Sequence, residues 1–395
     1  MTHLLAQAAG LPDLEFPEVA YYNNVIHVVW VGYDPGKQGD IFYARSTSAT
    51  GAFSTPVNLS NSATASVGND RPQVTAGPNG VYVAWNSDNN TGAVYVRRST
   101  SDGQQFVDGT ASAALLVAGA DGDAYYSRLT DLFTDSAGRT HVTYYTNQDT
   151  NLASGMVRHR MTCDAINWGT DSAVTSRPLE GDFDNEESRL AEGGGKFLMV
   201  FKSSRHGNPQ GGWPPYSINV TSGTLSGCGI AWAYPARRVG GGLPFTYSST
   251  YRPEIFVDGT TMHLAWWENT AGANVVYRRG PITGLLGAAT KVSNFGVDHL
   301  EPGGLISTAG TAQGGFQAPP GIVSNGTTAF MTYQSHTATT GGFEHGPVYI
   351  RESGDNGATW GAEQQIATDT KAATPRIALG GTGTHQGVDF IDEQD

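Results

Sequence analysis

The sequence predicts an all-β fold, a single β-propeller of four-stranded antiparallel blades, and three observations support this prediction. Hairpin-like segments recur along the whole chain, glycine accounts for 52 of the 395 residues, and only 15% of the residues are charged. This composition is typical of short strands joined by tight turns. No apolar run approaches the roughly 18 residues of a membrane-spanning helix, so we expect no membrane insertion.

The hairpins are clearest in four segments that start at residues 17, 71, 252 and 319, namely PEVAYYNNVIHVVWVGYD, RPQVTAGPNGVYVAWNSD, RPEIFVDGTTMHLAWWEN and PPGIVSNGTTAFMTYQSH. Each contains a short strand, a turn with Gly or Asn, and a second strand in which apolar and polar residues alternate. Weaker copies start at residues 127, 188 and 375. A third strand, such as AVYVRRS, and a fourth, such as STPVNLS, follow in most units. Four strands in roughly 55 to 67 residues is the period of a propeller blade.

This period predicts seven blades, with six as the alternative. The blades are expected to start near residues 17, 71, 127, 187, 251, 319 and 375 of one domain that spans residues 1–395. The last unit contains only two strands, so residues 1–16 are expected to complete it and to close the ring. A closed ring agrees with a sequence in which no linker or break in composition is visible.

The net charge of −13 argues against general binding to nucleic acid or anionic lipid, since a phosphate backbone requires a basic surface. The two cysteines, Cys163 and Cys228, are too few for a disulfide framework and lack the spacing of a metal site. The sequence leaves open whether these cysteines form one disulfide bridge or remain two free thiols. No signal peptide is visible at the N-terminus. An extracellular or cell-surface location is favoured, and a virion is the alternative.

A turn near the C-terminus, SGDNGATW at residues 353–360, has a clear physical role. The carboxylate of Asp355 can accept backbone N–H bonds, Gly357 suits a left-handed position, and Trp360 can cover the edge of the blade. Eroded copies, which are STSATGAF, STSDGQQF, MTCDAINW and LSGCGIAW, end at Phe53, Phe106, Trp168 and Trp232. These residues are expected to stabilise hairpins rather than to take part in catalysis.

The repeated turn resembles the Asp-box, or bacterial neuraminidase repeat, of sialidase-like β-propellers, and the resemblance covers most of the chain. It implies that Asp355 lies on the face opposite an active site. It also implies an exo-acting hydrolase with an Asp acid/base, a Tyr nucleophile assisted by a Glu, and arginines that grip a carboxylate. The residues that match these roles, if the protein is a hydrolase, are Asp88, Glu187 and Tyr251.

Two positions depart from the family pattern. Phe16 precedes Pro17 where the family has its first arginine, and Lys202 stands at another arginine position, with Arg205 three residues later. These departures weigh against the hydrolase and in favour of a propeller that only binds its ligand. Glu268, in the segment that resembles the nucleophile blade, is then a further ligand-binding candidate.

Arginines recur where the first strand of a unit begins, which is the rim where propellers usually bind ligands. Arg71, Arg128, Arg189 and Arg252 have this place in four consecutive units. Four guanidinium groups at one mouth would favour an anionic ligand such as a carboxylate sugar. The alternative is that each arginine pairs with a neighbouring acid, such as Asp70, Asp123, Asp184 or Glu187, and joins adjacent blades. In the long loop that follows Arg205, Trp213 is a candidate for stacking on a sugar ring.

No cofactor is required by this interpretation. The acidic clusters at residues 121–123 and 182–187 are candidates for calcium, and solvated turns are the alternative. His27, His141 and His263 recur on second strands, where we expect buried structural positions rather than a metal site. The function that we expect is recognition of an acidic or neutral glycan at the central mouth. The alternatives are a sialidase-type hydrolase and a self-assembling structural component of a virion or cell surface.

Overall fold

A computed structural model gives the fold of the chain. It describes residues 13–33, 39–47, 51–61, 68–87, 93–100, 102–106, 115–118, 127–146, 155–164, 167–175, 185–204, 216–240, 250–269, 273–293, 320–334, 347–367, 372–379 and 386–392. These residues form strands and isolated bridges, together with turns, bends and irregular segments between them. None of them forms a helix with the length and apolar character needed to cross a membrane.

The chain forms two compact units. The first comprises Met1–Ser176, Leu225–Ala231 and Ala378–Asp389, and the second comprises Arg177–Thr224, Trp232–Ile377 and Phe390–Asp395.

In the first unit, three antiparallel sheets follow one another along the chain, and each has four strands in sequence order. The strands are β1 (Asp13–Tyr22), β2 (Val25–Tyr33), β3 (Asp40–Ser46) and β4 (Val57–Asn58); β5 (Asn69–Gly77), β6 (Gly80–Ser87), β7 (Ala93–Ser99) and β8 (Leu115–Ala118); and β9 (Ser127–Thr134), β10 (Thr140–Thr146), β11 (Met156–Met161) and β12 (Ser172–Ala173).

Three further sheets, most of whose residues belong to the second unit, continue the pattern. They contain β13 (Asn185–Gly193), β14 (Lys196–Ser203), β15 (Ser217–Leu225), β16 (Ile230–Trp232) and β17 (Arg237–Gly240); β18 (Thr250–Asp258), β19 (Thr261–Asn269), β20 (Ala273–Pro281) and β21 (Thr290–Lys291); and β22 (Gly321–Ser324), β23 (Ala329–Gln334), β24 (Val348–Ser353) and β25 (Gln364–Ala367). The fourth sheet of the chain has a fifth strand, because β17 also pairs with β15. Finally, β26 (Ala372–Leu379) pairs with β27 (Gln386–Asp392) in a two-stranded sheet.

The fold is therefore all-β with four-stranded antiparallel blades, but the described residues form six blades, which was the alternative, and the prediction of seven is wrong. The error came from the last two strands, which have the sequence pattern of a blade but pair with each other alone among the described strands. Residues 1–16 were expected to complete that unit. Residues 13–16 instead begin β1 and lie in the first sheet, where β1 pairs with β2, so this part of the prediction is wrong. Residues 1–12 lie outside the described residues. The assignment of residues 1–395 to one domain, with those blade starts, stays a prediction.

The interior of each sheet pair is apolar, as the alternation of the strands requires. In the first unit, the fully buried Val29, Ile41 and Val83 belong to one cluster between the first two sheets. In the second unit, Leu198, Met262 and Leu264 form the corresponding core.

The predicted turn at residues 353–360 is present and held as expected. The backbone N–H of Thr359 donates to Asp355 Oδ1 at 2.8 Å, and its hydroxyl donates to Oδ2 at 2.7 Å. Gly357 has a φ of 84°, and Trp360 meets the ring of Tyr277 edge-on at 5.1 Å. These hydrogen bonds lower the pKa of Asp355, chiefly through the hydroxyl and N–H of Thr359. The turn therefore fastens the sixth sheet to the fifth.

The same device recurs in the first unit. Gly103 has a φ of 76°, and Phe106 meets the ring of Tyr43 edge-on at 5.0 Å. Behind each tyrosine lies a fully buried histidine. His27 Nδ1 is 2.7 Å from the Tyr43 hydroxyl, and His263 Nδ1 is 2.8 Å from that of Tyr277. His141 is fully buried as well, so the prediction that His27, His141 and His263 are buried is confirmed.

The question left open for the cysteines is settled, since Cys163 and Cys228 form a disulfide within the first unit. Their Cα atoms are 5.1 Å apart. Among the described residues, no group of three or more His, Cys, Asp or Glu is arranged to hold a metal ion. The acidic residues 121–123 and 182–184 lie outside the described part of the chain, so calcium binding there stays a prediction.

A recurring bulge interrupts the first strand of four sheets. In each case two residues of the first strand oppose one residue of the second, as in β5, where Asp70 pairs with Asn86 and Gln73 pairs with Ala84. The first of the two bulged residues has a positive φ between 49° and 55°, and these residues are Phe16, Arg71, Glu187 and Arg252. Bulges of this type usually place Gly at this point, because a side chain there costs about 1 kcal/mol. Strain that recurs at one structural position is a pointer to function.

Candidate functional site

In the second unit, the bulges of β13 and β18 bring Glu187 and Arg252 into contact. The backbone N–H of Arg252 donates to Glu187 Oε2 at 2.8 Å, and Arg252 Nε lies 3.6 Å from Oε1. Lys202, near the end of β14, approaches the same Oε1 to 3.4 Å. One carboxylate therefore receives a backbone N–H and two cationic side chains.

These contacts keep Glu187 ionised. Burial alone would raise the pKa of this carboxyl, but the charges of Lys202 and Arg252 and the N–H of Arg252 lower it to about 2. A carboxylate with this pKa holds no proton to donate at neutral pH and is a weak base toward a tyrosine hydroxyl. Glu187 is therefore suited to orienting the two cations.

A second ion pair lies two residues further along the same strands. Arg189 Nε is 3.3 Å from Glu254 Oε2, and both residues resume regular pairing directly after their bulges. The side chains are 16% and 22% exposed, so solvent reaches both. The two strands are therefore joined by two ion pairs of opposite polarity. In the first pair β13 supplies the acid and β18 the arginine, and in the second β13 supplies the arginine and β18 the acid.

An aromatic ring borders these charges. Lys202 Nζ lies 4.3 Å from the centre of the Tyr216 ring, and the backbone carbonyl of Tyr216 accepts a hydrogen bond of 2.9 Å from the hydroxyl of Thr250. Thr250 pairs with Glu268 across β18 and β19, and Glu268 Oε2 accepts a 3.2 Å bond from Trp266 Nε1. We call Glu187, Arg189, Lys202, Tyr216, Arg252, Glu254 and Glu268 the strand-start cluster.

The arginines predicted from the sequence do not share one register. Arg71 and Arg252 are bulge residues, whereas Arg189 follows its bulge and Arg128 pairs with Tyr145 on β10 before the irregularity in β9. Arg71 Nε lies 3.7 Å from Asp70 Oδ2. Arg71 and Arg128 belong to the first unit and Arg189 and Arg252 to the second.

Acid pairing, which was the alternative interpretation of these arginines, is observed at Arg71 with Asp70 and at Arg252 with Glu187. Glu254, the partner of Arg189, was missed by the sequence analysis. Its position in the sequence could have identified it as a candidate, because Glu254 directly follows the Arg-Pro pair at residues 252 and 253. Asp123 and Asp184 lie outside the described residues.

Several other candidates cannot be placed. Asp88, Arg205 and Trp213 lie outside the described residues, and of Tyr251 only the backbone is described. Of the three catalytic candidates, Glu187 alone therefore has a described side chain.

No protein-family model matches the chain, and no curated protein matches it in sequence. Among solved structures, the polysaccharide lyase Uly1 is similar with a TM-score of 0.59 at 9% identity, over 96% of this chain and 90% of that one. An α-L-arabinanase of Penicillium chrysogenum, in complex with arabinobiose, has a TM-score of 0.53 at 13% identity, over 88% of this chain and 95% of that one.

A sialidase of Trypanosoma rangeli, in complex with sialic acid, has a TM-score of 0.49 at 7% identity, over 96% of this chain and 54% of that one. At such low identities a structural likeness shows the fold alone. The polysaccharide lyase and the arabinanase therefore show the fold of this chain and no closer relation.

Proposed function

We propose that this protein binds a carbohydrate, acidic or neutral, through the strand-start cluster of its second unit. The observation that carries the proposal is the state of Arg252. Its Nε and backbone N–H are held by Glu187, whereas its two Nη atoms have no hydrogen-bond partner among the described residues. The side chain is 24% exposed, so solvent reaches part of it and a ligand can approach the guanidinium group.

The chemistry of the neighbours suits a sugar. Carboxylates accept hydrogen bonds from hydroxyl groups, guanidinium groups donate to hydroxyl oxygens or to a carboxylate, and an aromatic ring packs against the apolar face of a pyranose or furanose. Glu254, Arg252 and Tyr216 supply one group of each kind. The arabinanase of the same fold was solved with a disaccharide, which supports a glycan as the class of ligand.

Glu187 is proposed as a positioning residue. Its low pKa and its three contacts favour orientation of Arg252 and Lys202 over activation of a tyrosine nucleophile, because a carboxylate with this pKa is a weak base. Glycan recognition without turnover is therefore the preferred function, and sialidase-type hydrolysis is an outcome that the experiment below distinguishes.

We also propose an extracellular or cell-surface location. Disulfides persist in oxidising compartments and are rare in reducing ones, and the Cys163–Cys228 bridge agrees with the former.

The proposal is tested with a glycan array that includes neutral arabinans, uronic acid oligosaccharides and sialosides, followed by calorimetric titration of each hit. Arg252→Ala is expected to weaken binding at least about tenfold, which corresponds to about 1.4 kcal/mol. Lys196→Ala is the matched control, because it removes a cation from the opposite end of β14 from Lys202. Circular dichroism establishes that each variant is folded.

Two results would contradict the proposal. One is the absence of any bound glycan, and the other is binding that Arg252→Ala and Arg189→Ala leave unchanged. Release of free sugar from a bound oligosaccharide, measured in the same samples, would replace recognition by hydrolysis.

A further inference from the structure

The turn between β20 and β21 collects two arginines from different sheets of the second unit. Arg278, on β20, donates from Nε to the carbonyl of Gly287 at 2.9 Å. Arg237, on β17, donates from Nη1 to the carbonyl of Gly284. Both guanidinium groups therefore donate to carbonyl groups of one short turn, at residues 282–287.

The partners of these arginines are carbonyl groups. Arg278 Nη1 also donates to the carbonyl of Val239 at 2.6 Å, which ties β20 to β17. In the part of the chain that the structure describes, neither Arg237 nor Arg278 has a carboxylate partner. This is unusual in a chain with 36 acidic and 23 basic residues, where acids are abundant.

Two like charges at one turn repel each other when no anion lies between them. Burial and the charge of Arg278 lower the pKa of Arg237 below its ordinary value. The carbonyl groups accept from Nη1 of Arg237 and from Nε and Nη1 of Arg278, whereas Nη2 of each guanidinium has no hydrogen-bond partner among the described residues. Carbonyl dipoles carry no full negative charge, so they offset only part of this repulsion. An anion at the turn would relieve it.

The turn is open to solvent. Leu285, at its tip, is 90% exposed, and both arginines are only partly buried. An anion can reach the guanidinium groups without any strand having to move.

We propose that Arg237 and Arg278 form an oxyanion site that takes a sulfate, phosphate or carboxylate group. The planar guanidinium donates two parallel hydrogen bonds to such a group, and two guanidinium groups held on one turn need little reorganisation to do so. The group can be a free inorganic anion or a substituent of an acidic polysaccharide. The site shares no residue with the strand-start cluster, so the two proposals stand or fall separately.

The first experiment measures binding of inorganic sulfate by calorimetric titration and by thermal unfolding, with sodium chloride at equal ionic strength as the reference. Wild-type protein is expected to show a saturable rise in Tm with sulfate. In the double variant Arg237→Gln/Arg278→Gln the apparent affinity is expected to fall at least about tenfold. Arg45→Gln is the matched control, because Arg45 also donates to a turn carbonyl, that of Asp102, at 3.1 Å.

The second experiment compares dextran sulfate with uncharged dextran. If the polymer binds far more tightly than free sulfate and Arg278→Gln abolishes the difference, the source is an acidic polysaccharide. Equal affinity for each sulfate group, free or attached, identifies a free anion as sufficient. Either result supports the site.

Arg278→Lys covers the case in which the double variant does not fold. It keeps the positive charge but lacks the planar fork, so the preference for sulfate over chloride is expected to fall while general attraction of anions remains. The proposal is overturned if wild-type protein shows no saturable effect of sulfate or dextran sulfate. It is equally overturned if the folded Arg278→Lys or double variant responds as wild type does.

Discussion

Replacing Glu187 by Gln tests the electrostatic core of the strand-start cluster. The substitution keeps the shape of the side chain but leaves Lys202 and Arg252, which lie 3.4 and 3.6 Å from Oε1, without their counter-charge. The pKa of Glu187 falls from an ordinary 4.5 to about 2. At about 1.4 kcal/mol per pH unit, this difference corresponds to about 3 kcal/mol of stabilisation. Because the side chain is 18% exposed, we treat that figure as an upper limit and expect a loss of about 2 kcal/mol at neutral pH.

The sign of the pH dependence follows from the same values. Between pH 4.5 and about 2 the unfolded chain binds the proton at Glu187 and the folded chain does not, so acid favours unfolding. The contribution of Glu187 is complete above pH 4.5 and is lost as the pH falls to about 2. The difference between wild type and Glu187→Gln is therefore expected to be constant from neutral pH to the upper limit of this window and to shrink below it.

Urea unfolding followed by tryptophan fluorescence at several pH values measures this difference. Glu352→Gln, at an exposed position of β24, is the control and is expected to change the urea midpoint little. Adding Lys202→Gln to Glu187→Gln should recover part of the loss, because one uncompensated cation is removed. If Glu187→Gln behaves like Glu352→Gln at neutral pH, or if its effect persists unchanged at the acid end, the carboxylate does not organise the cluster.

Two further predictions concern the turns. Gly357→Ala and Gly195→Ala both place a side chain at a positive φ, 84° and 72°, which costs about 1 kcal/mol in each case. Only at Gly357 would the new methyl group overlap the hydroxyl of Tyr277, so we expect that variant to lose about 2 kcal/mol more in thermal unfolding, and equal losses would contradict the packing argument. Reduction of the Cys163–Cys228 bridge, which spans 65 residues, is expected to cost up to about 4 kcal/mol. Reductant should therefore lower the Tm of wild type but not that of Cys163→Ser, and an unchanged wild-type Tm would refute the stabilising role.

The sequence was informative where one local pattern determines one local structure. Alternation of apolar and polar residues identified the hairpins, and the Asp, Gly and Trp of residues 353–360 identified a turn whose hydrogen bonds are those expected. The number of blades was not accessible in this way. A strand is specified by its own residues, but the partners of β26 and β27 depend on pairing over long distances along the chain.

The register of the arginines was missed for a related reason. A bulge inserts one residue and reverses the alternation of the strand. Arg189 and Arg252 therefore look equivalent in sequence, but Arg252 is itself a bulge residue and Arg189 directly follows its bulge. The sequence does not predict a positive φ at residue 187, because the residues that commonly adopt a positive φ are Gly and Asn and this residue is Glu. The bulge becomes visible only once the pairing of β13 with β14 is known.

The arginines were interpreted either as partners of neighbouring acids or as ligand-binding residues. The geometry of Arg252 allows both roles at once. A guanidinium group has two edges, and Arg252 uses its Nε and its backbone N–H toward Glu187 while its Nη atoms find no partner among the described residues. The acid fixes the direction of the arginine, which lowers the entropy that a ligand must remove on binding. A ligand carboxylate or hydroxyl then meets donors that are already oriented. Pairing with Glu187 is therefore what prepares Arg252 for recognition, and the two interpretations describe the two edges of one side chain.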